Sequence, residues 1–179
     1  MICDEMWNSV TLYGRQAEID RFKELFIDVP DDDGDETLLA FDAILPIARA
    51  ESLELFGKIA RCAGFQTWTF RDSIKQILGT YYFAFDTGNR FPVPVFNYLA
   101  ILFPELAFDC YCIADNDSSM GFGWFNPPPG GEDFCDEHSV PVDHWEGNGR
   151  YRIDPIAHEQ HERLRALVAK QAYDLSVGN

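Results

Sequence analysis

The chain has 179 residues, 46% of them apolar and 15% aromatic, so it can form one domain with a large buried core and is not an intrinsically disordered protein. It carries 30 Asp and Glu against 14 Lys and Arg, and this net charge of -16 disfavours direct binding to nucleic acid, whose phosphates it repels. No apolar run reaches the roughly 18 residues of a membrane span, and the first residues lack the basic and apolar pattern of a secretory signal.

The first half of the chain shows both helical and strand periodicity. Apolar residues three and four apart predict helices, and alternation of apolar and polar residues predicts strands. The predicted order is strand 7–14, helix 15–28, strand 37–46, helix 48–65, helix 69–78 and strand 80–87. The first helix places four apolar side chains on one face: Ile19, Phe22, Leu25 and Phe26.

Residues 83–108, FAFDTGNRFPVPVFNYLAILFPELAF, combine many aromatic side chains with several prolines. Pro92 and Pro94 suit the entry and first turn of a helix, and Pro104 ends it. One helical face carries Val95, Tyr98, Leu99, Leu102 and Phe103. We interpret the aromatic residues as core rather than as a binding site, because large aromatic side chains are usually buried.

Two further strands and a last helix complete the predicted fold. Strand 105–115 places Leu106, Phe108, Cys110 and Cys112 on one face, and 120–126 returns as its partner. One or two short strands lie around EGNG, and helix 156–175 has a stripe formed by Ala157, His161, Leu164, Val168, Ala172 and Leu175.

This order of elements predicts an α+β fold, a ferredoxin-like sandwich with a largely antiparallel sheet and helices packed on one face. Residues 1–131 form the ferredoxin-like core. Residues 132–179 form an acidic loop with short strands and an amphipathic C-terminal helix that packs on that core.

The cysteines do not form a disulfide framework. There are five, an odd number without regular spacing: Cys3, Cys62, Cys110, Cys112 and Cys135. We expect Cys110 and Cys112 to be buried free thiols, which is typical of a cytoplasmic protein.

No motif assigns a catalytic residue, a cofactor site or a metal site, and the sequence does not indicate an enzyme. No standard zinc-ligand spacing is formed by Cys135, His138 and His144 together with Cys110 or Cys112. His158, His161 and Glu162 lack the HExxH pattern and are interpreted as a polar helix edge. The serines at 52, 73, 118 and 119 have no GxSxG context. A small metal-binding protein or enzyme at Cys135, His138 and His144 stays open as an alternative.

Two stretches resemble the Api92-like family, a domain of unknown function found on plasmids and prophages. WNSVTLYG, residues 7–14, precedes an amphipathic helix as in that family, and residues 83–125 carry the stronger match. The matching features are an aromatic strand ending in Asp86 and Thr87, a proline-led helix ending in FPEL, and a second strand with Gly121, Phe122 and Gly123. The family's Trp-Gly-Thr-Lys-Trp-type segment is absent; FQTWTFRDS stands there, and we interpret Trp68 as its remnant. The resemblance implies a ferredoxin-like domain and a mobile-element origin, and no catalytic residues.

Acidic residues are concentrated in one segment. From Phe91 to Gly149 there is no Lys or Arg, but there are ten Asp or Glu. The candidate interaction residues are Asp115, Asp117, Glu132, Asp133, Asp136, Glu137, Asp143 and Glu146. They predict a non-enzymatic interaction protein that binds a basic surface of a host protein, as a nucleic-acid mimic where that surface normally binds DNA or RNA. Solubility is the simpler explanation of the charge. The alternative is a self-associating domain, a homodimer with Trp124 and Phe125 exposed at its interface.

Overall fold

The fold is centred on a five-stranded antiparallel sheet. The computed structural model describes residues 5–28, 36–40, 44, 69–70, 77–88, 90–114, 119–139, 145–146, 150–151 and 155–178, some of them only as backbone. In chain order the strands of this sheet are β1 (Glu5–Tyr13), β5 (Thr80–Gly88), β6 (Ala107–Ala114), β7 (Ser119–Phe125) and β8 (Cys135–Ser139). Their order in space is β5-β1-β6-β7-β8, so the N-terminal strand lies inside the sheet.

Five shorter strands form two smaller sheets. β2 (Ile27–Asp28), β3 (Glu36–Leu39) and β4 (Thr69–Phe70) pair in that order, and β9 (Trp145–Glu146) pairs with β10 (Arg150–Tyr151). The β9–β10 pair confirms the short strands predicted around EGNG.

Three helices are described, and they cover both faces of the main sheet. α1 (Gln16–Phe26) follows β1, and α2 (Val93–Leu102) connects β5 to β6. Strands β5 and β6 are both antiparallel to β1 and therefore parallel to each other, with β1 between them. α3 (Pro155–Val177) packs Val168 and Ala172 against Tyr13 and Trp124 on the opposite face from α1 and α2. The predicted α+β class with a C-terminal helix is confirmed.

Aromatic side chains fill the layer between the sheet and helices α1 and α2. Phe22, Phe83, Phe96 and Phe108 are almost completely buried there. Their ring centroids lie 5.8–6.4 Å apart in neighbouring pairs, in stacked and edge-on arrangements that favour aromatic packing. The interpretation of residues 83–108 as core is confirmed, and so is the burial of Cys110 and Cys112 as free thiols.

Several local predictions were wrong. Thr69–Phe70, predicted as the start of a helix, pairs with β3 instead, as its β-branched and aromatic residues favour. The predicted strand 37–46 ends at Leu39, and Ile44 is helical, donating its N–H to the Ala40 carbonyl. Predicted helix 48–65 lies outside the described residues.

Two predicted helix faces also need correction. Leu25 and Tyr98 were placed on buried faces but are 49% and 39% exposed, because each helix turns other residues inward. α1 buries Ile19, Phe22 and Phe26, and α2 buries Val95, Phe96 and Leu99.

Candidate functional site

The acidic residues predicted to form an interaction surface are described in part. Glu132 and Asp133 are exposed and Asp136 is half-buried. Glu137 in β8 and Glu146 in β9 are described as backbone only. Asp115, Asp117 and Asp143 lie outside the described residues.

The segment that carries Glu132, Asp133 and Asp136 is held tightly against β7. The Trp124 N–H donates to the Glu132 carbonyl at 2.9 Å, and the Phe134 N–H donates to the Trp124 carbonyl at 3.1 Å. The approach is close because β7 has glycines there: a Cβ at Gly121 or Gly123 would lie 2.6 Å from a carbonyl oxygen of this segment. The three acidic residues therefore have a defined position at the β8 edge of the sheet, which we call the acidic edge.

The acidic edge has no compensating positive charge among the described residues. Glu132, Asp133 and Asp136 make no ion pair within that part of the chain. By contrast, the described acids of α3 are paired along the helix, Glu159 with Arg163, Glu162 with Arg165 and Asp174 with Lys170. Burial, with a smaller contribution from the nearby Asp136 carboxylate, raises the pKa of the Cys112 thiol to about 12.

A second polar group lies beneath α3, around the buried carboxylate of Asp109. Asp109 follows Phe108 in β6 and points to the opposite face from Cys110, beside Thr11 of β1 and Trp124 of β7. Its Oδ2 accepts a hydrogen bond from Arg165 Nε at 2.6 Å, and its Oδ1 lies 3.1 Å from His161 Nε2. His161 and Arg165 are one helical turn apart, so α3 presents both side chains to the same carboxylate.

The surroundings of this cluster favour the charged state of Arg165. Burial lowers the pKa of Arg165, but the Asp109 carboxylate outweighs that effect and the net direction is upward. Burial also raises the pKa of the Tyr13 phenol, which packs beside the cluster against Trp124. Arg165 pairs with both Asp109 and Glu162.

Sequence reasoning did not select Asp109. The available signals were a single carboxylate in the apolar strand AFDCYC and the helical spacing of His161 and Arg165. His161, considered above with His158 and Glu162 as a metal candidate, instead contacts Asp109.

The residues considered for a metal site are not brought together where the structure describes them. Cys110 and Cys112 lie in the core, whereas Cys135 is exposed. The His138 side chain and His144 lie outside the described part. Within that part, no three His, Cys, Asp or Glu side chains are arranged to hold a metal ion.

The residues chosen for a homodimer interface are not exposed. Trp124 is 1% and Phe125 is 8% exposed, because Trp124 packs under α3 and Phe125 packs in the α1–α2 core. Any self-association would have to use other residues.

Comparison of the chain with protein-family models, with curated proteins and with solved structures gives no match. No helix in the described ranges is long and apolar enough to cross a membrane.

Proposed function

We propose that this chain is a non-enzymatic interaction protein whose acidic edge binds a basic surface of another protein. The observation that carries the proposal is the set of uncompensated carboxylates of Glu132, Asp133 and Asp136, in a segment whose backbone is hydrogen-bonded to β7. Fixed charges of one sign attract a partner of opposite charge and orient its approach. An ordinary solubilising surface does not require these positions to be fixed.

The partner class follows from the charge. A net charge of -16 repels nucleic acid, so the partner is a protein with a basic surface, and nucleic acid and membrane are not partners. Where that surface normally binds DNA or RNA, the chain acts as a nucleic-acid mimic. The resemblance to Api92-like proteins of plasmids and prophages supports a cytoplasmic host protein, such as a defence factor or nuclease, as the target.

The same resemblance supports a ferredoxin-like core. Two parallel strands, β5 and β6, joined by α2 and separated by β1, form a split β-α-β unit, which occurs in ferredoxin-like folds.

The test compares two triple charge reversals as baits in a bacterial lysate. The first variant is Glu132→Lys, Asp133→Lys and Asp136→Lys. The control reverses three exposed helical acids, Asp20→Lys, Glu24→Lys and Glu159→Lys. Three reversals add two charges each, so both variants move from -16 to -10 and differ only in where the charge changes.

We expect wild type and control to capture the same basic protein at about 50 mM salt and to release it at about 500 mM. The acidic-edge variant, checked for folding by circular dichroism, loses this capture by about tenfold or more. Double-stranded DNA that competes for the captured protein identifies the chain as a mimic. Equal capture by both triple variants would show that the acidic edge is not the binding surface.

A further inference from the structure

A cleft of about 850 Å³ lies between the outer face of the sheet and the first half of α3. Its floor is formed by side chains of four adjacent strands, β5, β1, β6 and β7, and one wall by α3 from Ala157 to Arg165. The loop at Gly130–Glu132 forms part of the rim. We call this space the α3 cleft; its size is in the range of small-molecule sites.

The floor of the α3 cleft is aromatic and accessible. Trp7 is 37% exposed, and Tyr82, Tyr111 and Phe122 are half-buried. The rings of Trp7 and Tyr111 meet edge to face with centroids 6.2 Å apart. The faces of such rings carry partial negative charge and attract cations.

The charged groups of the cleft add to this preference. Its described lining contains three carboxylates, Asp109, Glu132 and Glu162, against one guanidinium, Arg165. Arg165 is already bound by Asp109 and Glu162, so it does not offer a free positive charge to an anion. Glu132 remains without an ion pair among the described residues. Within the described lining, which also contains His158 and His161, this balance disfavours phosphates and carboxylates as ligands and favours a positively charged one.

We propose that the α3 cleft binds an organic cation, with its guanidinium or alkylated ammonium group over the aromatic floor and its charge facing Glu132. Such a cation is weakly hydrated compared with a metal ion, so it can leave water for aromatic rings. The ligand is either a free small molecule or an arginine side chain of a protein, and the chemistry is shared. The site goes beyond the acidic edge, because it requires Trp7 and Tyr111, which are not part of that edge.

Calorimetric titration with N-acetyl-arginine amide, N-acetyl-citrulline amide and tetramethylammonium tests the proposal. Citrulline has the shape of arginine without its charge. The assay is run at low ionic strength and at pH 8, where imidazole groups are ordinarily neutral. Binding of at least one cation, with the citrulline derivative weaker by about tenfold or more, is the expected result. Stronger binding of the arginine derivative identifies a protein side chain as the source, and stronger binding of tetramethylammonium identifies a small quaternary cation.

Three leucine variants locate the site. Trp7→Leu and Tyr111→Leu remove aromatic rings from the floor and weaken cation binding by about fivefold or more each. Tyr98→Leu is the matched control, because Tyr98 on α2 is 39% exposed and outside the cleft, and it leaves binding unchanged. Equal affinity for the arginine and citrulline derivatives, absence of binding by both cations, or equal loss in all three variants would overturn the proposal.

Discussion

Removing the Arg165 guanidinium should destabilise the protein through the carboxylate it leaves behind. Arg165→Met keeps much of the side-chain length but leaves Asp109, whose side chain is 3% exposed, with His161 as its one remaining side-chain hydrogen-bond partner among the described residues. Breaking a fully buried ion pair costs about 3–5 kcal/mol, and an exposed pair contributes about 0.2–1 kcal/mol. Because the Arg165 side chain is 37% exposed, we expect an intermediate loss of about 2–3 kcal/mol in the free energy of unfolding.

A double-mutant cycle separates this interaction from lost packing. Urea unfolding at pH 7.5 is measured for wild type, R165M, D109N and the double variant. We expect R165M to cost about 1 kcal/mol or less in the D109N background, so the coupling energy is about 2 kcal/mol. The matched control cycle uses Glu159→Gln and Arg163→Met, an exposed pair on the same helix, with an expected coupling of about 0.5 kcal/mol or less. If R165M costs the same with and without the Asp109 carboxylate, the ion pair does not hold α3 on the sheet.

Two further predictions concern a glycine and a buried thiol. Gly79→Ala should lower the free energy of unfolding by about 2–3 kcal/mol, because φ is +83° and the new Cβ would lie 2.5 Å from the Ala172 carbonyl oxygen. The control Gly130→Ala has a similar φ of +89° but no atom within 4 Å, so it should cost about 1 kcal/mol in the same urea assay. Equal costs of the two substitutions would contradict the close contact at Gly79. The pKa of Cys112 is about 12 in the folded protein, above the ordinary 9.0. Folding therefore favours the neutral thiol, and this contribution to the free energy of unfolding is fully present below pH 9 and is lost as the pH rises toward 12. From pH 8 to 10.5 wild type should lose about 2 kcal/mol more stability than Cys112→Ala, and parallel losses would contradict a buried neutral thiol.

The main elements could be predicted from sequence where a local pattern determines them. α2 begins after Pro92 as predicted, and β5, β6 and β7 match their predicted ranges within two residues, since alternation or proline position marks each one. β8 could not be predicted, because CDEHS has no apolar alternation. Its position depends on Gly121 of the neighbouring strand, which lets Cys135 and Asp136 approach, and Gly123 does the same for the residues just before β8.

Of the two polar groups described above, only the acidic edge could be predicted in part from the sequence, and the Asp109 cluster could not. The charge of Glu132, Asp133 and Asp136 is visible in sequence, but the hydrogen bonds that fix them are not. Asp109 lies 52 residues from His161 and 56 from Arg165, and no local pattern relates positions at such separations. The Asp109 cluster forms only because α3 packs on the outer face of the sheet, and this tertiary contact is not visible in the sequence.

The position of β1 has a consequence for how the chain folds during synthesis. β1 is made well before its two neighbours, β5 and β6, and the pairing of Tyr13 with Ala107 joins residues far apart in sequence. Contacts of such long range slow folding, because the entropy of closing the loop is lost before any contact forms. Until residue 114 has been added, a nascent chain holds β1 with at least one edge open to other strands. We therefore expect the central sheet to form only after β6 has been made, and β1 to depend on protection of its open edge until then.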